Sequence, residues 1–365
     1  MYPSLETVKQ LASQGDYKRI PVCRELFSDK YTPVEVMRML KKASHHCYLL
    51  ESASQSEAWG RYSFLGYDPV MEITCSEGEM KIRHTGENGN QEEKICHVTH
   101  PGETLRQVLD QYKSPKVEGL PTFTGGLVGY FSYDYIRYSE PKLKLGSKGQ
   151  QDFRDMDLML FDQVIAFDHY RQKLLLITGV KTENIDISYQ EAQKKLQDMA
   201  DLIKKEDKME FPPIHLLSEI QPELPEKEYC QIVERAKQYI KEGDIFQVVL
   251  SNPMRAKAEG SLFDTYRVLR ATNPSPYMFY FSSDDIEIAG ASPETLVKLD
   301  QGKLSTFPLA GTRPRGKDRE EDLALEAELL KDEKELAEHN MLVDLGRNDI
   351  GKISKIGTVQ VEKYL

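Results

Sequence analysis

A chain of 365 residues that is 39% apolar and 29% charged has the make-up of one large folded domain or two ordinary ones, with enough apolar side chain for a real core. The net charge of -11 argues against nucleic acid or an anionic membrane as the main partner, although a local basic pocket could still hold a small anion. Five cysteines, at 23, 47, 75, 96 and 230, show neither a C-x-x-C pair nor zinc-finger spacing to histidine, so reduced thiols in a cytoplasmic protein are expected. No signal-peptide run opens the chain, and no window approaches the ~20 apolar residues of a membrane span.

Up to about residue 205 the pattern is mixed helix and strand. The apolar run "CYLLES", Cys47 to Ser52, closes on Glu51 and Ser52 as a strand end. "TGGLVGYFSYDYIRY" sets aromatic residues behind paired glycines, which predicts an aromatic core strand with a bulge or close backbone approach at Gly125 and Gly126. "FDQVIAFDHYRQKLLLI" holds two strand-like runs around Asp168 and His169, a hairpin. From Ile203 to Pro225 the composition shifts to Lys and Glu with prolines, which marks a domain boundary or exposed crossover and suggests domains of 1–210 and 211–365. In sheets of this kind strands from the two parts can share one layer.

Beyond it, "EKEYCQIVERAKQYIKEGD" carries apolar residues at helical spacing and is stopped by Gly243. "IFQVVLS" predicts a buried strand, and the β-rich stretch from Ser275 to Gly311 predicts an antiparallel meander. Helix follows from about Glu320 to Leu345. The chain closes on "GTVQVEKYL" in the middle of an alternating pattern, and further sequence is expected after it.

Three features carry chemistry. "AGTRPRGKD", Ala310 to Asp318, contains G-x-x-x-x-G-K, but Asp318 stands where a phosphate-binding P-loop needs Ser or Thr, and Pro314 removes a donor. A solvated basic turn, or a loop gripping a carboxylate or phosphate through Arg313 and Arg315, fits better. Glu294 in "GASPETLV" follows a proline at an expected strand start; it is either a solvated carboxylate or a half-buried one kept protonated as a general acid. Glu335 and Glu338 fall in the helical sector of Met341, Leu342 and Leu345 rather than among the surface charges. A surface pair served by Lys331 and Lys334, a cavity-facing pair, and a magnesium site all remain open for them.

The motifs "GDIFQVVLS", "NPSPYMFYF", "GASPE", "PLAGTRPRG" and "DEKELAEHNMLVDLGRND" stand in the order seen in the chorismate-binding enzymes. With "LLES", "GRYSFLG" and "GGLVGYFSYD", the chain resembles the anthranilate synthase component I branch over its whole length. The resemblance implies an α+β fold of two antiparallel β-sheets packed orthogonally with helices on the outer faces, incomplete at the C-terminus. It implies conversion of chorismate and ammonia to anthranilate and pyruvate with Mg2+. Glu338 would be the metal ligand, Glu335 its supporting carboxylate, Gly311 and Thr312 the chorismate contacts, and Glu294 the acid near the departing hydroxyl.

Other members typically carry a lysine at the position of Ala310, and its absence points to ammonia rather than water as nucleophile. An aminodeoxychorismate synthase or an inactive tryptophan-sensing subunit are the competing readings. Leu49, Glu51 and Ser52 with Pro276, Tyr277 and Met278 would form an L-tryptophan feedback site. No cysteine lies in a glutaminase-like nucleophile elbow, so a separate glutamine amidotransferase subunit, in a hetero-oligomer such as a heterotetramer, is implied. The resemblance also implies that further magnesium-side carboxylates and a catalytic histidine would lie beyond Leu365.

Overall fold

Most β-rich runs of the sequence assemble into two antiparallel sheets in the computed structural model, which describes residues 1–52, 60–85, 91–140, 142–143 and 153–365. The larger sheet has seven strands in the spatial order β1 (Arg19–Phe27), β10 (Lys173–Lys181), β9 (Gln163–Asp168), β3 (Tyr62–Tyr67), β2 (Cys47–Glu51), β15 (Tyr277–Ser282) and β16 (Glu287–Ser292). The second has five, in the order β6 (Gln91–His97), β5 (Glu79–Thr85), β4 (Met71–Ser76), β8 (Met156–Phe161) and β7 (Gly126–Phe131). Short pairs complete the set: β11 (His215–Leu216) with β14 (Ala258–Glu259), β12 (Gln221–Pro222) with β13 (Met254–Arg255), and β17 (Lys298–Asp300) with β18 (Lys303–Ser305). The helices are α1 (Leu5–Ser13), α2 (Pro33–Ala43), α3 (Pro101–Asp110), α4 (Ile136–Ser139), α5 (Ile185–Lys205), α6 (Glu226–Glu242), α7 (Phe263–Thr272), α8 (Arg319–Leu329) and α9 (Glu333–Gly351).

Strand alternation sorts the core into layers. Odd positions of β2 such as Leu49 face the helices, where they meet Met37 and Leu40 of α2, Leu196 and Met199 of α5, and Tyr266 of α7. Tyr48, on the opposite face, packs with Met159 and Phe161 of β8 and Phe281 of β15, so this cluster lies between the sheets. Leu105 and Val108 of α3 cover Ile73, Met80 and Leu158 on the far side of the smaller sheet. Each fully buried Leu, Met or Phe side chain contributes roughly 1.5–3 kcal/mol of transfer free energy. The expected arrangement of two sheets with helices outside is therefore present.

Local signals set several boundaries. Thr32 caps α2 by accepting the Glu35 backbone N–H at 3.2 Å, with Pro33 in the first turn. α6 ends where Gly243 takes φ +83°. The β9–β10 hairpin forms around Asp168 and His169 as expected.

Other expectations are corrected. "IFQVVLS" forms no strand: Phe246 and Val249 are almost fully exposed. The stretch after Ser275 is not one meander, because β15 and β16 extend the seven-stranded sheet through β2 while β17 and β18 pair only with each other. β7 is an edge strand with Phe131 half exposed, not a core strand, although the close approach at Gly125 is real: a Cβ there would lie 3.0 Å from Phe161 O.

Cα packing divides the chain into one unit of Met1–Pro274 with Met278–Ala291 and a second of Ser275–Tyr277 with Ser292–Leu365. That division falls elsewhere than the compositional break at 203–225, since the C-terminal strands β15 and β16 complete an N-terminal sheet. All five cysteines are free thiols. Among the described residues no helix is long and apolar enough to cross a membrane.

Candidate active site

The carboxylates singled out in the sequence stand at the start of α9, in the second unit. The long helical stretch is broken before Glu333, and Asp332 caps the new helix by accepting the backbone N–H groups of Lys334 and Glu335 at 3.0 and 3.2 Å. Those N–H bonds, the Glu335 one first, together with Arg313, hold the Asp332 carboxyl below the usual carboxylate range. Glu335 is thus the third helical residue, and Asp332-x-x-Glu335 has capping-box spacing, a signal that helical phase alone passes over. Glu335, Glu338, Met341 and Leu342 are all half-buried, as phase predicts. Leu345 departs from the pattern and is exposed.

Gly311 adopts φ +74°, a conformation that strains any residue with a Cβ, and a Cβ there would lie 3.1 Å from Leu329 Cδ1 and 3.3 Å from Glu335 Oε2. Glycine is what lets the loop backbone reach the first turn of α9. At the other end of the contact, Gly346 faces Thr306 and Pro308. The run from Pro308 to Gly311 therefore passes along the helix face between Gly346 and Glu335, the stretch that holds Glu338. Gly311 and Glu335 thus meet directly, with Thr312 next in the loop and Glu338 three residues along the same helix.

The two arginines of the loop are spent within the protein. Arg313 bonds Glu328 at 3.1 Å and Asp332 at 2.7 Å, and its third nitrogen lies 3.9 Å from Glu335. Arg315 pairs with Asp322 at 2.5 Å, while the N–H groups of Gly316 and Lys317 donate to Asp322 and Glu321 at 2.8 and 2.7 Å. Asp318 caps α8 through the Glu321 N–H at 2.9 Å. Carboxylates of α8 occupy the place an external anion would take, so neither the P-loop nor the Arg313–Arg315 anion grip survives. The role of Arg313, which fixes the loop to α9, was not legible in the sequence.

Glu294 is exposed and lies two residues past the end of β16, with its N–H on Ser292 Oγ at 3.3 Å. Of the two readings offered by the sequence, the solvated carboxylate is the one found, and it stands past a strand end rather than at a strand start. His339 is a polar neighbour, its Nε2 at 2.6 Å from Tyr364 O.

The residues assigned to tryptophan divide between faces and units. In the first unit, Leu49 and Met278 are core side chains on the helix-covered face, and Met278 stands opposite Glu51 in the β2–β15 register. Glu51, on that same face, is 8% exposed and is gripped from α7, by Tyr266 OH at 2.7 Å and by Arg270 Nε and Nη2 at 2.7 and 2.9 Å. Ser63 Oγ adds a contact at 3.4 Å, and the Glu51 charge helps push the Tyr266 hydroxyl pKa up, after burial. Ser52 is half-buried just past the strand end. Pro276 and Tyr277 belong to the second unit, where Tyr277 OH bonds Thr295 Oγ1. Tyr266 and Arg270, which decide how Glu51 is held, had no local sequence signal, because they come from more than 200 positions away.

Residues 6–365 match the family model described as chorismate binding enzyme, so the chain belongs to that family. Within it, the chain is 39% identical to anthranilate synthase component 1 of Acetivibrio thermocellus, over 100% of this chain and 74% of the relative. It is 40% identical to the Acinetobacter calcoaceticus protein of the same name, over 98% of this chain and 72% of the relative. The crystal structure of anthranilate synthase component I from Streptococcus pneumoniae TIGR4 superposes with a TM-score of 0.67 at 34% identity, covering 83% of this chain and 64% of that one. The chain thus spans about two thirds to three quarters of the length of these proteins.

Proposed function

We propose that the chain acts as the large subunit of an anthranilate synthase, converting chorismate and ammonia to anthranilate, pyruvate and water in the cytoplasm. The observation that carries this reading is the full-chain identity to proteins named anthranilate synthase component 1, joined to the meeting of the Gly311 loop with the carboxylate turn of α9. Ammonia would come from glutamine through a separate amidotransferase subunit in a hetero-oligomer.

A magnesium ion suits the donor set. Glu335 and Glu338 are shielded oxygen donors one turn apart, and magnesium commonly takes one or two carboxylates with waters and a substrate anion. Among the described residues no cluster of three or more His, Cys, Asp or Glu side chains forms a complete protein cage. When bound, the ion would neutralise the ring carboxylate and act as a Lewis acid as the hydroxyl leaves. Glu338 would hold it, with Glu335 behind, its carboxylate oriented by Arg313. Gly311 and Thr312 would bring backbone against chorismate, and Glu294 would donate a proton to the departing hydroxyl once substrate covers it. Ala310 leaves space for ammonia where an amine-bearing side chain would favour another nucleophile.

L-Tryptophan would inhibit through the region of Leu49, Glu51 and Ser52 with Pro276, Tyr277 and Met278. Glu51 would meet the ammonium group only once released from Tyr266 and Arg270, and Leu49 and Met278 act from the core behind it.

The test is anthranilate fluorescence from chorismate, Mg2+ and ammonium, using the chain together with any sequence that follows it. Anthranilate is expected, with near-total loss in Glu338→Gln and retained tryptophan binding. Aminodeoxychorismate as product, or undiminished turnover in the variant, would refute the reaction or the metal role respectively.

A further inference from the structure

The proposed reaction leaves unused a cavity of about 570 Å3 in the first unit, between the N-terminus of α2, the β9–β10 turn and the second half of α7. Its volume falls in the ~300–1,000 Å3 range of small-molecule sites. None of the residues assigned to chorismate, magnesium or tryptophan lines it.

Its walls are mixed, with Ser28, Thr32, His169 and Gln172 adding polar groups to the apolar and cationic ones. Pro33, Val34 and Phe167 supply apolar surface, and Arg267 and Arg270 supply guanidinium groups. Arg270 spends Nε and Nη2 on Glu51, and among the described residues its Nη1 has no partner. Arg267 donates through Nη1 to Asp264 at 2.8 Å, and its Nε and Nη2 have none among the described residues. Asp264 is itself shared, with Arg38 at 3.5 Å, so two cations draw on one carboxylate. The one acidic lining residue, Glu35, is paired with Lys208. The first turn of α2 adds the positive end of a helix dipole.

We propose that this cavity binds a small organic carboxylate with an apolar body, the carboxylate on Arg267 and Arg270 and the body against Pro33, Val34 and Phe167. Guanidinium N–H pairs match a carboxylate in geometry and charge. Since Arg270 also holds Glu51, ligand and Glu51 compete for one guanidinium, and occupancy of the cavity loosens the grip of α7 on the end of β2.

Calorimetric titration of the 365-residue protein with benzoate tests this. Single-site saturable binding is expected, weakened roughly tenfold in Arg267→Gln, where one charge-assisted contact is lost, and tightened in Glu51→Gln, where the competing charge is removed. Arg267 lies on the exposed face of α7, so its variant keeps the fold, and far-ultraviolet dichroism checks that. Absence of saturable benzoate binding, equal affinity in Arg267→Gln, or weaker binding in Glu51→Gln would each overturn the proposal. Inorganic phosphate binding as tightly as benzoate would overturn the role of the apolar wall.

Discussion

Asp157, the second residue of β8, has no exposed surface, and among the described residues its Oδ1 has no hydrogen-bond partner. Burial pushes its carboxyl up to about 6, although Arg154 at 2.7 Å opposes the shift. A carboxyl whose folded pKa is raised contributes stability that is fully present below the unfolded pKa, near 4, and is lost as pH rises through about 6. Urea unfolding of the parent and of Asp157→Asn should therefore differ by an amount that changes by up to about 3 kcal/mol between pH 4 and 6, the parent losing its share as pH rises. An unchanged slope in the variant would assign the dependence to other groups. Gly311 offers a second residue-scale test, since a Cβ meets both the left-handed φ penalty and the Glu335 side chain. Gly311→Ala should cost about 1–3 kcal/mol of stability in a thermal melt and lower turnover more than stability alone explains.

Among elements, α9 depends on its first turn. Asp332 both caps the helix and anchors Arg313, so Asp332→Ala should lower the melting temperature and reduce activity together, whereas Glu338→Gln should reduce activity alone. Equal melting temperatures for Asp332→Ala and the parent would show that the cap is dispensable. Legibility at this scale follows how local the cause is. α6 with its Gly243 stop and the β9–β10 hairpin were readable because spacing and turn residues determine them. "IFQVVLS" was misread because β-propensity describes fitness for a sheet, and among the described residues no strand pairs with it. The splitting of the expected meander has the same origin: what β15 pairs with is decided by β2, far away in sequence. Glu335 and Glu338 were found by phase, while the Arg313 latch and the Glu51 clamp come from tertiary contacts that no window contains.

At the scale of the molecule, the two units differ in how much they bury. The first holds all the layered clusters, whereas no residue from Ser292 to Leu365 is fully buried. Native-state hydrogen exchange should find β8, β9 and β10 slowest and α8 and α9 faster by orders of magnitude. Comparable protection in α9 and β9 would contradict this. The same layering ranks the thiols: Cys230 is exposed, while burial pushes Cys23 up to about 11 and Cys47 up to about 12, so both should resist thiol reagents until unfolding.

The pairing of β2 with β15 also has a meaning for the chain as it is being made. A ribosome adding ~5–20 residues per second needs on the order of ten seconds or more to travel from Cys47–Glu51 to its neighbour at Met278–Ser282. For that interval the nascent polypeptide carries a strand of Cys, Tyr, Leu and Leu whose outer hydrogen-bonding edge has no native partner, the kind of edge that recruits other chains. A holding chaperone would cover that edge, whereas slower elongation would lengthen its exposure, so the yield of native protein depends on the timing of synthesis as well as on the stability of the finished fold.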